Sequence, residues 1–180
     1  MTIMTSLFPP SPFAAKAANA ASTSGGSRRP RPVAAVLADR LDDVPVVDAA
    51  ARLAVVRGAP LLLIAVLPPL LPRAAAAAPD GATARAVLGR ALPRLARAGV
   101  GFESAVCHRP AGRGGRLRAA RGLLDVAVAL GCSRLVVSRS GPEGLDADTV
   151  MEAAAIRGGP FVHAAPPLPW VPLAAPRPLV

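Results

Sequence analysis

Short apolar runs alternate with segments of helical periodicity along this chain, and this alternation limits the possible folds more than any other feature. Residues 33–38 form a continuous apolar run, and a helical pattern that opens at Asp43 and Pro45 follows and ends at Gly58. A second apolar run covers residues 61–67. Runs of this kind are typical of strands buried on both faces of a parallel sheet.

The alternation continues to residue 164. The later segments are a helix over 83–98 interrupted by Pro93, a less buried strand over 100–108, a helix over 117–130, a strand over 135–137, a short helix starting at Asp146 or Asp148, and a strand over 161–164. Five strands alternating with four helices predict a single three-layer α/β domain with a five-stranded, mostly parallel sheet. Right-handed crossovers would place the strand ends at 39, 67, 109 and 138 along one edge.

The domain is predicted to cover residues 32–165, between two segments of different composition. Residues 1–31 contain no acid and end in arginines and prolines, which predicts a disordered basic tail. An organelle transit peptide or a wrongly assigned start are the alternatives. Residues 166–180 are predicted to be a Pro-rich tail. We expect a cytoplasmic protein, or an organelle-targeted one if the first segment is a transit peptide.

The chain carries a formal charge of +10 over 180 residues, and the excess is concentrated between Arg85 and Arg121, where nine arginines accompany one acid. Such a surface attracts nucleotide phosphates, nucleic acid or an acidic protein, although a solvated helix face is the more common reason for such a cluster. The alternative function is therefore that of a basic nucleic-acid-associated protein. Since the chain has no Tyr and one Trp, such a protein would bind the phosphate backbone without sequence preference. The longest apolar run, 59–71, is broken by prolines, and no membrane association is expected.

No catalytic or metal-binding pattern stands out. Cys107 and Cys132 lack the short spacings of zinc or redox motifs and are predicted to be buried free thiols. Asp42 and Asp43 are adjacent carboxylates, which indicates helix capping. No nucleophile elbow, Walker loop or dinucleotide fingerprint is present. We therefore predict a protein that is not an enzyme, with no catalytic residues and no metal.

Several segments together resemble the universal stress protein family over about residues 32–165. They are the first strand ending in Asp39, Arg57-Gly58-Ala59-Pro60 before the second strand, Leu95 to Val100, Ala129 to Val137, and Gly159 to Val162. The resemblance implies a flavodoxin-like order of five parallel strands and a homodimer. It also implies a stress-related or regulatory role, exerted by binding a partner or, weakly, a nucleotide or other small anion.

ATP-binding members of that family carry, after the fourth strand, two glycines separated by two residues, then nine residues and Gly-Ser or Gly-Thr. Here Ser138 and Gly141 occupy the first two positions, and the count ends on Met151-Glu152, or on Ala147-Asp148 if the loop is shorter. The signature is incomplete, so no cofactor is assigned and ATP remains only a candidate. The ligand-binding residues that the resemblance implies are Asp39, Ser138, Arg139, Gly141 and Gly144.

A second candidate anion site does not depend on the resemblance. Four arginines crowd the start of the helix over 117–130, where the helix dipole is already positive, so a bound phosphate or acidic partner would relieve an unfavourable charge. They are Arg113, Arg116, Arg118 and Arg121.

Overall fold

The computed structural model of the protein describes residues 30–69, 80–112 and 114–167. The strands in these ranges are β1 (Val33–Leu37), β2 (Leu61–Leu67), β3 (Phe102–His108), β4 (Arg134–Val137) and β5 (Phe161–Ala164). The helices are α1 (Asp43–Arg57), α2 (Asp80–Gly89), α3 (Leu92–Ala98), α4 (Leu117–Ala129) and α5 (Ala147–Arg157). The predicted tails lie largely outside the described residues, so the domain boundaries at 32 and 165 stay predictions.

The five strands form one parallel sheet in the order β3-β2-β1-β4-β5. Helices α1, α2 and α3 pack on one face of the sheet, and α4 and α5 pack on the other. The predicted three-layer, flavodoxin-like α/β architecture is therefore confirmed. The strand order reverses between β1 and β4, and we call the carboxyl ends of these two strands the switch point, the place where open α/β sheets bind ligands.

Burial explains why the apolar runs become strands. Every residue of β1 and β2 is buried. In β1, Val33, Ala35 and Leu37 pack into the core beneath α1, whereas Ala34 and Val36 pack beneath α4 and α5. A strand whose two faces both meet a core is expected to be apolar throughout.

Pro93 divides the predicted helix over 83–98 into two. Helix α2 ends at Gly89, and α3 starts at Leu92 with Pro93 in its first turn. Proline is tolerated there because that turn has no intrahelical acceptor for a backbone N–H. Strand β3 alternates between buried and less buried residues at the edge of the sheet, as its sequence predicts. Within the described residues, no helix has the length and apolar character needed to cross a membrane.

Candidate functional site

Two loops meet at the switch point, one after β1 and one after β4. Strands β1 and β4 are direct neighbours, with Val33 beside Arg134 and Ala35 beside Val136. Across the two loops, the Ser138 hydroxyl lies 3.5 Å from a carboxylate oxygen of Asp42. Residues 38–42 and 138–146 therefore form one site, the candidate site of this protein.

Asp43 holds the first loop in place from within. Its carboxylate accepts hydrogen bonds from the backbone N–H of Ala38, at 3.1 Å, and from that of Arg40, at 3.0 Å. The residue is only 4% exposed, and burial raises the pKa of its carboxyl even though these hydrogen bonds act in the opposite direction. Helix α1 begins at Asp43 as predicted, but the carboxylate points back to the end of β1 and does not cap the helix. Asp42, at the cap position, makes no side-chain cap bond either.

Asp39 lies at the rim of the site. Its φ is 58°, and no other non-glycine residue in the described ranges has a positive φ. Aspartate is one of the few side chains that tolerate this left-handed region. Its carboxylate lies 3.5 Å from the Arg90 guanidinium, and both side chains are about half exposed. An exposed pair of this kind contributes little stability, so little free energy is needed to separate Asp39 from Arg90.

The second loop is folded tightly upon itself. The Ser140 N–H donates to the Ser138 hydroxyl at 3.1 Å, and the Ala147 N–H donates to the Ser138 carbonyl at 3.0 Å. Arg139 is exposed. The loop thus presents hydroxyl groups and one arginine at the switch point, next to the carboxylates of the first loop.

Both loop glycines are needed for contacts within the protein. A Cβ atom at Gly141 would overlap the carbonyl of Leu145, and Leu145 itself is buried. Gly144 has φ of 77°, and a Cβ there would lie 2.8 Å from the Arg116 carbonyl oxygen. Both predicted glycines lie at the site, but each of them closely approaches backbone atoms of this chain.

Helix α5 follows this loop directly in the chain, and the carboxylate of its cap residue already occupies its amino end. Asp146 accepts from the Thr149 backbone N–H at 2.9 Å and from the Thr149 hydroxyl at 2.8 Å. Burial acts to raise the pKa of Asp146, but these bonds and the charge of Arg116 outweigh it and lower that pKa. A phosphate at this helix end would have to displace or repel that carboxylate.

The arginines predicted to bind an anion at the start of α4 differ in their surroundings. Arg116 lies at the cap position of α4 and pairs with Glu152 of α5. Arg118 and Arg121 are exposed, and Arg118 folds over Gly114. Arg113 lies outside the described residues. At least one of the four is thus neutralised by the chain itself.

The arginine-rich segment 85–121 does not form one continuous surface. Helices α2 and α3 pack on one face of the sheet and α4 packs on the other, so the arginines of these helices are separated by the sheet. Arg94 also pairs with Asp48 at 2.7 Å, in addition to the pair between Arg90 and Asp39. The expectation of a single basic surface is therefore wrong, because the chain crosses from one face of the sheet to the other between α3 and α4.

The thiols and imidazoles lie apart from the switch point. Cys107 and Cys132 are buried and free, as predicted, and burial raises the pKa of each thiol to about 11. His163 is on β5, and His108 ends β3 with its Nδ1 3.0 Å from the Pro68 carbonyl. Among the described residues no group of three potential metal ligands occurs.

Solved structures of universal stress proteins share this architecture. The chain is similar to a universal stress protein from Archaeoglobus fulgidus, with a TM-score of 0.55 and 16% identity over 77% of this chain and 95% of that one. A protein of the universal stress protein family from Burkholderia pseudomallei gives 0.51 and 22% identity, over 76% of this chain and 96% of that one.

The Archaeoglobus fulgidus protein solved in complex with dAMP gives 0.50 and 19% identity, over 77% of this chain and 98% of that one. The chain has the universal stress protein fold. No family model matches its sequence, and no curated protein does. The resemblance found in the sequence is thus confirmed at the level of the fold.

Proposed function

We propose that this protein is a non-enzymatic binding domain of the universal stress type, which takes a nucleoside or nucleotide weakly at the switch point. The observation that carries the proposal is the arrangement of acceptors there. Asp42 and Ser138 meet across the two loops, and Asp39 lies in the first of these loops beside Arg90; such acceptors suit the hydroxyl and amino groups of a nucleoside. The dAMP complex of a protein with this fold supports a ligand of that class.

The proposed ligand is recognised without its phosphates. The amino end of α5 is the usual place for a phosphate next to such a loop, and here the Asp146 carboxylate already accepts from the Thr149 N–H and hydroxyl at that end. Arg139 is exposed, and an exposed ion pair contributes only about 0.2–1 kcal/mol. Added phosphates should therefore change the dissociation constant by less than about 5-fold.

The non-enzymatic assignment rests on the same geometry. The groups at the switch point are the carboxylates of Asp39 and Asp42, the Ser138 hydroxyl and the Arg139 side chain. The two thiols are buried with pKa values raised to about 11, which makes them poor nucleophiles at neutral pH. A regulatory or stress-related role, a cytoplasmic location and the homodimer implied by the resemblance belong to this proposal as well. Sedimentation equilibrium of the full chain would test the homodimer.

Isothermal titration calorimetry tests the ligand. Adenosine, dAMP and MgATP are each titrated into the full chain at about 150 mM salt, where exposed charges are largely screened. We expect weak, saturable binding of all three with similar dissociation constants. Absence of heat with all three at millimolar concentration would refute the proposal.

Substitutions of the two aspartates test whether the ligand binds at the switch point. Asp42→Asn and Asp39→Asn should each weaken adenosine binding several-fold, since each loses a charged acceptor. Asparagine is chosen at Asp39 because it tolerates the positive φ, whereas alanine would strain the loop. Glu103→Gln, an exposed change of the same charge on β3, is the matched control and should leave binding unchanged.

A further inference from the structure

Helices α1 and α3 lie on the same face of the sheet and leave a groove of about 370 Å³ between them. Its apolar lining consists of Ala51, Val55 and Val56 of α1, Leu95 and Ala98 of α3, and Val100. On α1 the lining positions recur three and four residues apart, so they form a stripe along the helix, beside the stripe that packs on the sheet. The groove therefore runs along the two helices.

One end of the groove is apolar although it is open to solvent. Val55 is 65% exposed and Val56 is 83% exposed. Ala98 and the partly buried Val100 continue this apolar surface on the other side of the groove. A surface helix usually carries polar residues on the side that faces away from its core. Neighbouring exposed apolar side chains with polar residues around them are typical of an interaction site.

An ion pair spans the groove at its other end. Nη1 of Arg94, in the first turn of α3, lies 2.7 Å from a carboxylate oxygen of Asp48 on α1. Both helices run from the carboxyl end of one strand back to the amino end of the next. The ion pair thus closes the groove toward the carboxyl ends of the strands, whereas Val55 and Val56 leave it open toward the amino ends.

The groove has an excess of positive charge. Asp48 is the one acid among the residues that line it, and Arg94 neutralises that acid. Arg52 also lines the groove, and Arg97 is next to Ala98 on α3; both arginines are exposed. In the ranges that the structure describes, no carboxylate pairs with either of them. An occupant of the groove is therefore expected to carry acids beside its apolar residues.

The chain does not supply such an occupant from its remaining segments. All eleven acids lie between residues 39 and 152, and residues 1–29, 70–79 and 168–180 contain none of them. A second copy packed groove to groove would bring Arg52 and Arg97 near their own counterparts, and like charges disfavour that contact. The shape of the groove indicates a helix, because a further helix packs along the groove between two neighbouring ones.

We propose that the groove between α1 and α3 is a docking site for an acidic amphipathic helix of another protein. Apolar side chains on one face of that helix meet Val55, Val56 and Val100, and carboxylates beside them meet Arg52 and Arg97. The lining covers about two turns of α1, so a partner segment of two to three turns fills the groove. The inference goes beyond the proposed nucleoside site, which lies at the carboxyl ends of the strands, and does not depend on it.

Fluorescence anisotropy tests the docking with a labelled fifteen-residue peptide, titrated with the full chain at about 50 mM salt, where electrostatic attraction is strong. The peptide carries Leu at positions i, i+3, i+4 and i+7, Glu beside this stripe and Ala elsewhere. We expect saturable binding. A peptide of the same composition with its Leu residues spread around the helix should bind at least about 10-fold more weakly, and so should one with Lys in place of Glu. The first of these keeps every charge, so it tests the apolar face alone.

Exposed substitutions in the groove locate the binding. Val56→Ser should weaken it about 10-fold, the loss that corresponds to the burial of one valine side chain. Arg52→Gln should weaken it by up to about 5-fold, the upper range for an exposed ion pair. Val128→Ser and Arg118→Gln change exposed residues of the same kinds on α4, so they are the matched controls and should leave binding unchanged.

Asp48→Asn should change the affinity in the opposite direction. It releases Arg94 for a carboxylate of the peptide, so binding should become tighter by up to about 5-fold. Equal losses in the groove variants and their α4 controls, or undiminished binding of the peptide with dispersed Leu, would overturn the inference. Displacement of the probe by an unlabelled peptide of residues 1–29, a dimer that Val56→Ser dissociates, or no binding at all would overturn it as well.

Discussion

Replacing Asp43 by alanine removes the group that holds the β1–α1 loop in place. The backbone N–H groups of Ala38 and Arg40 then lose their acceptor. A polar group left unsatisfied on burial costs about 1–3 kcal/mol, and the exposed Arg40 can recover a bond to water. We therefore expect a loss of about 2 kcal/mol in the free energy of unfolding, mostly from Ala38.

Urea unfolding of the full chain measures this loss. With a slope of about 1–3 kcal/mol per molar urea, the midpoint should fall by about 1 M. Asp43→Asn keeps one acceptor oxygen and should lose less than half as much. Asp48→Asn, which breaks the exposed pair with Arg94, is the matched control and should lose no more than about 1 kcal/mol. A loss below about 0.5 kcal/mol in the alanine variant would refute the bracing role.

The sign of the pH dependence gives a second test of the same residue. Burial raises the pKa of Asp43 in the folded state, so the folded state holds its proton more tightly than the unfolded chain does. Stability from this group is therefore present below the ordinary pKa of 3.8 and is lost as the pH rises through the folded value. The difference in stability between wild type and Asp43→Asn should change in that window and be constant above it.

Three further outcomes are expected. Gly144→Ala should lower the free energy of unfolding by about 2–4 kcal/mol, and Gly131→Ala by only about 1 kcal/mol, because both glycines have a positive φ but only at Gly144 would the added Cβ meet backbone atoms. Equal losses for the two variants in urea unfolding would contradict this close approach. The pKa of His163 is lowered by burial, so wild type should lose stability as the pH falls below its ordinary 6.5, and His163→Gln should remove that slope in thermal melts. The thiols of Cys107 and Cys132, with pKa values raised to about 11, should react with a thiol reagent only in denaturant, and fast reaction at pH 8 would show that they are accessible.

The sequence is sufficient to predict the strands of the sheet and the edge at which they end. Continuous apolar runs in β1 and β2 mark strands that meet a core on both faces, and the order of elements places their ends at one edge. Pro93 predicts the interruption between α2 and α3 because a proline inside a helix removes a backbone hydrogen bond and kinks or breaks the helix. These features depend on local patterns, which a single sequence carries.

The contacts of the site could not be predicted in the same way. Asp43 could cap a helix or brace a loop, and the choice depends on where β1 ends in three dimensions. The sequence indicates Asp146 as one possible helix start, but a count of residues along the phosphate signature does not show that its carboxylate fills the amino end of α5. The arginines of residues 85–121 are close in sequence, yet the sheet separates them.

One comparison tests most directly the central claim, that the switch point binds a nucleoside while Asp146 excludes phosphate from α5. Adenosine and MgATP are titrated calorimetrically into wild type and Asp146→Ser, a change that keeps a helix cap but removes the charge. We expect similar affinities for both ligands in wild type and a selective gain for MgATP in Asp146→Ser. Wild type that binds MgATP more than about 10-fold tighter than adenosine would contradict the claim, since that ratio corresponds to about 1.4 kcal/mol of phosphate recognition.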